Sequence, residues 1–497
     1  MSNLPSYDLA IIGSGPGGYA AAVRARRLGW RVALIERAEL GGVCLNVGCI
    51  PTKALITVGH TMRQIRRAHE LGIHVEGVRL DYAAAIQRNQ RIIATLRQGL
   101  LSLLKAHQVE LIVGEAAFDD AHTLRISHHG QTQSLTCARA IIATGAHPSP
   151  GPWSFDGQHI LSYRELLSLT SLPSSLLIIG GGVIGCEFAS CFSSLGVPVT
   201  IVEQEAQLLP TEDAEAVRVL ARSLQARGVM MHTQASVQTL TASATGVRAV
   251  LSTGVAVEAQ RCLIAIGLRP NSEALGLEAL GIRTEHGVEV CEGLLTAQPH
   301  IAAIGDCIHG GGLAHLASAE GILAVENVAA STSRALDCAL IPRCVYTDPE
   351  IAQVGLLEAA CDRAGTILAG EEVPRTAGGA AQPSVRVSRF SFAALGKSLC
   401  DDESDGFVKL LIDPATDRVL GATIVGAQAS TLIHLAVVAM AHGLTAQQLA
   451  RTVTAHPTLA EGLTEAAAQF YGEALYTAGS ARPARSAATR LGASSHV

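Results

Sequence analysis

The chain has 497 residues, 48% hydrophobic and 16% charged, which is long enough for three or four domains and several buried cores. Its net charge is −6, from 37 Lys and Arg against 43 Asp and Glu, with no basic block, so nucleic acid and anionic membrane are not expected partners and small ligands are. Apart from Cys44 and Cys49, the cysteines, 12 in all, are scattered singly without metal-type CxxC pairs, which argues for a reduced cytoplasmic protein with no metal centre. No apolar signal core precedes the first strand, which begins by Asp8, and no uninterrupted apolar run approaches the length of a membrane span; a soluble protein is the expectation.

In chain order, residues Tyr7 to Glu36 predict a strand, a glycine turn, a helix and a second strand ending in an acid. The turn carries Gly13, Gly15 and Gly18 in GxGxxG spacing. In such a unit one glycine makes the turn, one lets the backbone approach a pyrophosphate, and one packs helix against strand. The helix N-terminus offers unpaired N–H groups and a positive dipole end to phosphates, and Glu36 is placed to accept from an adenosine ribose.

GGVCLNVGCIPTK follows, with Cys44 and Cys49 separated by four residues. On an ideal helix their Cα atoms would lie roughly 8 to 9 Å apart, beyond the roughly 7 Å a disulfide spans. A bonded pair therefore requires a bent backbone, for which Gly42, Gly48 and Pro51 supply the irregularity. Such a disulfide would be easily reduced, a working redox couple; the alternative is two reduced, half-buried cysteines. Residues 83–106 predict a long amphipathic helix covering the sheet, with no chemistry assigned to it.

The first unit recurs. Gly180, Gly182 and Gly185 repeat Gly13, Gly15 and Gly18 at a constant offset of 167 residues, and Glu203 repeats Glu36. A chain with two dinucleotide sites is most simply moving electrons between them. ATGAHP (Ala143 to Pro148) and AIGLRP (Ala265 to Pro270, with Gly267) each close an apolar strand with Gly and Pro, reading as domain exits. The predicted domains are therefore 1–149, 150–272, a return to the first over 273–342, and a separate α+β domain over 343–474. The return contains Asp306 at the end of an apolar strand. Strands with turns at Asp348-Pro349 and Asp413-Pro414, then helices over 430–442 and 445–453, lead to His456-Pro457-Thr458-Leu459-Ala460-Glu461. Residues 475–497 read as a flexible tail.

With SGPGGYAAA, GGVCLNVGCIPTKAL, GGGVIGCEFAS, AAIGDC, LAHLASAEG and AHPTLAE, nearly the whole chain resembles the pyridine nucleotide-disulfide oxidoreductases. Within them it is similar to the dihydrolipoamide dehydrogenases, flavoproteins of the 2-oxoacid dehydrogenase and glycine cleavage systems. The resemblance implies an α/β fold of two Rossmann-like domains and a C-terminal α+β dimerisation domain. It implies FAD on the first unit, with Glu36 on the ribose, Lys53 near the flavin, Ala116, Thr144 and Gly145 along the cofactor, and Asp306 and Ala314 at the ribityl and pyrophosphate side. NAD is implied on the second unit, with Glu187 pairing Lys53. The Glu203 carboxylate suits a free 2′-OH and repels a 2′-phosphate, so NAD is favoured over NADP.

By the same resemblance, Cys44 and Cys49 form the redox disulfide, and His456, oriented by Glu461, is the thiol base that reaches the pair of the other subunit in a homodimer. A lipoylated protein, either an acyltransferase core or a glycine cleavage carrier, is the implied partner. Val43 and Ala460 depart from the usual Thr and Ser. Among rivals, glutathione reductase is disfavoured by Glu203 and Leu459, and mercuric reductase by the absence of cysteines after Cys400. A soluble transhydrogenase has no use for the cysteine pair. A flavin-bearing structural subunit needs none of Cys44, Cys49, Lys53, His456 and Glu461.

Overall fold

The computed structural model describes residues 4–308, 312–362 and 385–477; most of the predicted tail, from residue 478 on, lies outside the described residues. The chain divides into two compact units, one comprising the residues to Cys338 with Val345–Asp348, the other Ala339–Cys344 with the residues from Pro349 on.

The first unit opens with β1 (Ser6–Ile12), α1 (Pro16–Arg27) and β2 (Val32–Glu36). Leu9 to Ile12 are almost fully buried, the near-continuous apolar run expected of a parallel strand covered on both faces; each such side chain stabilises by about 1.5–3 kcal/mol. β1 pairs in parallel with β2, placing Ile12 opposite Ile35. The next helices are α2 (Gly42–Asn46), α3 (Cys49–Arg67) and α4 (Tyr82–Ala106). Strands β3 (Glu110–Val113), β4 (Glu115–Asp120), β5 (Thr123–His128) and β6 (Gln131–Ile142) complete most of a sheet ordered β3-β2-β1-β6-β5-β4.

α4 does more than cover this sheet. Leu100 and Leu104 join the sheet's core, but its N-terminal half lies along α3, where Asn89 Nδ2 donates to the Pro51 carbonyl at 2.9 Å. Arg97 donates to Asn46 Oδ1 at 2.7 Å and pairs with Glu39. The helix therefore clamps both ends of the cysteine segment.

After β7 (Ala146–Pro148) the chain forms β8 (Ile160–Leu161), α5 (Tyr163–Ser168), β9 (Leu176–Ile179), α6 (Val183–Ser194), β10 (Val199–Val202), α7 (Ala214–Ala226) and β11 (Met230–His232). A three-stranded antiparallel meander, β12 (Val237–Ala242), β13 (Val247–Leu251) and β14 (Ala256–Ala259), precedes β15 (Arg261–Ile264). The second parallel sheet has the order β11-β10-β9-β15-β8. β16 (Leu268–Pro270) then pairs antiparallel with β7, Leu268 opposite Pro148 and Pro270 opposite Ala146. The two sequence echoes are thus the two strands of one ribbon. β17 (Ile301–Ala303) returns to the first sheet beside β6, and α8 (Ala314–Ala330) packs on α1. The approach of those two helices is close enough that a Cβ on Gly321 would sit 2.3 Å from the Gly17 carbonyl oxygen.

The second unit carries a sheet ordered β18-β19-β22-β21-β20, from β18 (Arg343–Val345), β19 (Glu350–Gly355), β20 (Arg386–Ser391), β21 (Phe407–Ile412) and β22 (Val419–Gly426). Helices Ala429–Ala441, Ala446–Ala450 and Glu461–Gln469 contribute Ile433, Ala446 and Leu463 to a core with Phe390, Leu410 and Ile424.

Candidate functional site

The first unit holds a cavity of about 460 Å³, within the range of small-molecule and cofactor sites. Its lining runs from Gly13, Gly15 and Glu36, past Ala116, Thr144 and Gly145, to Asp306 and Ala314, and reaches Cys44, Cys49, Lys53 and Glu187. Residues assigned to FAD from the sequence therefore face the same space as the cysteine pair. Gly18 does not line it, because this residue works inside the fold: a Cβ there would lie 1.9 Å from the Gly13 carbonyl oxygen.

Gly15, by contrast, caps α1, and a Cβ on it would meet nothing within 4 Å. That open space lies before the helix N-terminus, where unpaired N–H groups favour phosphate. At the neighbouring end Glu36 accepts from Ser14 N–H at 3.0 Å, Ser14 Oγ at 2.6 Å and Ala38 N–H at 2.9 Å. A carboxylate has about four acceptor positions, so one remains for a ribose hydroxyl. Burial raises the Asp306 carboxyl above its usual range, against the Gly312 N–H, and hydroxyl donors from a ligand would relieve it. The residues present fit an extended dinucleotide.

The second glycine unit repeats the geometry. A Cβ on Gly185 would come 2.0 Å from the Gly180 carbonyl oxygen, whereas one on Gly182, the cap of α6, would meet nothing within 4 Å. Glu203 accepts from Gly181 N–H at 2.6 Å and Glu205 N–H at 2.9 Å. Gly180, Gly182, Gly185, Glu203 and Gly267 are not in the lining of the FAD-type cavity; they gather at the ends of β9, β10 and β15.

Cys44 belongs to α2 and Cys49 is the first residue of α3, with the helical path broken at Val47 and Gly48. By length and composition, Gly42–Leu71 is the one described helical stretch apolar enough to cross a membrane; it is this broken pair, packed on α4 and α6. Both cysteines are free thiols and half-buried. A hydrogen bond from Cys44, aided by the Lys53 ammonium, lowers the Cys49 thiol to about 7 against the opposing effect of burial. The same hydrogen bond, together with burial, raises Cys44. Cys49 is thus the thiolate of the two, as its place at a helix N-terminus and one turn before a lysine favours.

Lys53 Nζ donates to both Glu187 oxygens, at 2.9 and 2.7 Å, with the glutamate side chain only 5% exposed. Val43 lines the cavity as an aliphatic side chain. In the second unit, His456 Nδ1 lies 2.8 Å from Glu461 Oε1, and Glu461 Oε2 accepts from Thr458 N–H at 2.8 Å. Burial alone would raise the Glu461 carboxyl, but the Thr458 N–H and the imidazole hold it below its usual range. Ala460 makes no side-chain cap to the helix Glu461–Gln469 and packs against the core instead.

Sequence reasoning missed Tyr163, Arg164 and Asn271 in the cavity lining. Asn271 directly follows AIGLRP and locks the ribbon: its Nδ2 donates to Thr144 O at 2.8 Å, and Thr144 Oγ1 donates back to Asn271 O at 2.6 Å. An Asn closing a Gly-Pro exit was the available signal. Tyr163 and Arg164 follow a Ser162–Glu165 capping box, which marks a helix start but not a cavity.

Residues 7–321 match the pyridine nucleotide-disulphide oxidoreductase family, and residues 341–467 its dimerisation domain. The chain is 37% identical over 474 residues to a dihydrolipoyl dehydrogenase of Geobacillus stearothermophilus, covering 94% of this chain and 97% of that one. It is 39% identical over 468 residues to one from Chlorobaculum tepidum, with 93% and 96% covered. Among solved structures it is similar to LpdA from Mycobacterium tuberculosis, with a TM-score of 0.85, 29% identity and coverage of 94% and 100%. The HOCl-induced flavoprotein disulfide reductase RclA from Escherichia coli, in a Cu(II) complex, gives 0.82 at 27% identity over 94% and 100%.

Proposed function

The chain belongs to the pyridine nucleotide-disulphide oxidoreductase family, and from that premise we propose that it oxidises dihydrolipoamide to lipoamide with reduction of NAD. It is an oxidoreductase that uses FAD and NAD and carries a dimerisation domain. The observation that carries the reading is that one cavity lined by the Gly13–Gly15 turn and Glu36 opens onto Cys44 and Cys49, with Lys53 one helical turn from Cys49.

His456 is the base towards a substrate thiol. Glu461 at Nδ1 orients the imidazole and leaves Nε2 to take the proton. The substrate thiolate attacks Cys44 Sγ of the disulfide, forming a mixed disulfide and releasing Cys49 as the leaving thiolate. A low-pKa thiol leaves faster, and the Lys53 charge, which lowers the Cys49 thiol and is present whether the pair is bonded or free, favours its departure. The second substrate thiolate then attacks its partner sulfur, closing lipoamide and freeing Cys44; the substrate loses two electrons and the cysteine pair gains them.

FAD would be held by the Gly13–Gly15 turn, Glu36, Thr144, Gly145, Asp306 and Ala314, and when bound supplies the acceptor that links the cysteine pair to the nicotinamide. Glu203 selects NAD, and the substrate reaches the site as a lipoyl group on a partner protein. His456 acts on the cysteine pair of the other subunit of a homodimer. The test is NADH formation from free dihydrolipoamide by the purified protein and by Cys49→Ser. The variant should retain FAD and lose turnover, and normal turnover would remove the cysteine pair from the reaction.

A further inference from the structure

Residues Val345–Asp348 are a short stretch of the first unit, while the chain on either side of them belongs to the second. Their placement is strongly fixed. Arg63 Nη1 donates to both Asp348 carboxylate oxygens, at 2.9 and 2.7 Å. The Asp348 N–H donates to Ser190 Oγ at 3.0 Å, and its carbonyl accepts from Arg227 Nη2 at 2.8 Å and Ser223 Oγ at 3.0 Å. Thus α3, α6 and α7 all grip this one residue. Two positions earlier, the Tyr346 N–H donates to Glu187 Oε1 at 3.0 Å, and the face of its ring lies 4.4 Å from Lys53 Nζ.

We propose that Tyr346 is a positioning residue of the redox centre, its ring face and main-chain N–H together fixing the Lys53–Glu187 pair so that the ammonium bears on Cys49. This rests on the redox reading of the cysteines and adds to it a residue from outside every cofactor or cysteine motif. A lysine carries four rotatable carbons, so a carboxylate alone restrains its ammonium poorly. An aromatic face adds an attraction that an aliphatic side chain of equal bulk lacks, because it comes from the ring quadrupole. The backbone donor to Glu187 fixes the other partner at the same time. Tyr346 therefore acts on the cysteine through Lys53, and the firm seating of Asp348 is what allows a ring on a connecting segment to do so.

The charged and titratable groups facing Cys49 are Cys44 from α2, Lys53 from α3 and Glu187 from α6, with Tyr163 of α5 and Tyr19 of α1 also within electrostatic reach. Of these, Tyr346 meets Lys53 with its ring face and Glu187 with its main-chain N–H. If the ammonium retreats by about 2 Å from the roughly 6 Å typical of an i,i+4 pair, its effect on Cys49 falls by about half a pKa unit at an effective dielectric near 20.

The experiment uses full-length, FAD-loaded protein with the cysteine pair reduced by a phosphine, and compares native, Tyr346→Phe, Tyr346→Leu and Tyr346→Met. Alkylation of Cys49 is followed against pH by peptide mass spectrometry. In the Leu and Met variants the midpoint should rise by about half a unit to one unit, leaving about two- to fivefold less thiolate at pH 7. Tyr346→Phe keeps the ring face and should follow the native profile. An unmoved midpoint in both Leu and Met overturns the proposal, and so does a Phe variant that rises as far as they do. A native Cys49 that titrates as an ordinary thiol would instead sink the reading of the redox centre itself, and this inference with it.

Discussion

The two glycine loops allow the fold and the cofactor to be perturbed separately. In Gly18→Ala the new methyl would start 1.9 Å from the Gly13 carbonyl oxygen and must retreat by more than 1 Å to reach about 3.3 Å, an ordinary carbon–oxygen contact. α1 cannot simply move outward, since α8 lies against its far side, with the Gly17 and Gly321 positions already in backbone contact. Overpacking of this kind costs about 1–3 kcal/mol, and more where the backbone itself is the obstacle. Gly15→Ala meets no protein atom within 4 Å, and Gly15 has an ordinary φ of −64°, so its effect on the bare fold should stay within about 1 kcal/mol. Its methyl instead occupies the space before the helix N-terminus. Thermal unfolding of the FAD-stripped proteins, set beside their FAD content after reconstitution, separates the two. Gly18→Ala should melt early, whereas Gly15→Ala should melt like the native chain and retain FAD poorly. Gly185→Ala and Gly182→Ala repeat the contrast in the second domain, with NADH affinity as the ligand readout and FAD retained in Gly182→Ala. A Gly15→Ala protein that binds FAD normally, or that is destabilised as strongly as Gly18→Ala, would refute the assignment of this cradle to a ligand.

The Lys53–Glu187 pair should show opposite signs in its two halves. Removing a cation about 6 Å from Cys49, the spacing typical of an i,i+4 pair, in Lys53→Met should raise the thiol's titration midpoint by about two units, whereas Glu187→Gln should lower it by less, since the lysine has the larger effect of the two; shifts in the same direction would exclude direct electrostatic control. His456→Ala should slow dihydrolipoamide oxidation by about 10²–10⁴-fold while flavin reduction by NADH stays within about twofold. Equal loss in both half-reactions would point to a defect in folding or dimerisation. Replacing Glu203 by Ala together with Gln204→Arg should shift the NADH-to-NADPH ratio of kcat/KM by at least about tenfold, or 1.4 kcal/mol, and an unchanged ratio would place the ribose elsewhere.

What the sequence disclosed was governed by local backbone demands. A glycine beside a strand end, another at a helix cap and an acid at the next strand end are set by one turn of chain, so both dinucleotide units could be read from spacing alone. The cysteine segment was legible for the same reason: a bond across its separation would be incompatible with a continuous helix, and the helix does break at Gly48, although the two cysteines stand as free thiols. Contacts between distant segments were not legible. The two Gly-Pro exits were seen as echoes, but their antiparallel pairing and the reciprocal Asn271–Thr144 bonds arise only when two domains return to a common edge. The role of α4 was missed because amphipathic periodicity reports a buried face without saying which neighbour buries it; Asn89 and Arg97, polar residues within that helix, were the cue to a second function.

The broken helix explains why the cysteine pair has a direction. Two thiols on a symmetric turn would share one environment, and either could lead the exchange with the substrate. Here Cys49 opens α3, so the helix dipole and Lys53, four residues on, both act on its sulfur, while Cys44 belongs to the preceding short helix and serves it as a hydrogen-bond donor. In the reduced pair the negative charge therefore settles on Cys49; in the disulfide the helix N-terminus and Lys53 remain beside Cys49 and favour it as the sulfur that departs, leaving Cys44 as the one an incoming thiolate attacks. Continuing the helix through Gly48, for example with Gly48→Ala, would press a methyl to 3.0 Å from the Val43 carbonyl oxygen and draw the two environments together. The midpoints of Cys44 and Cys49 alkylation should then converge. If they stay as far apart as in the native protein, the break is not the source of the asymmetry, and the Cys44 hydrogen bond with the Lys53 charge must be.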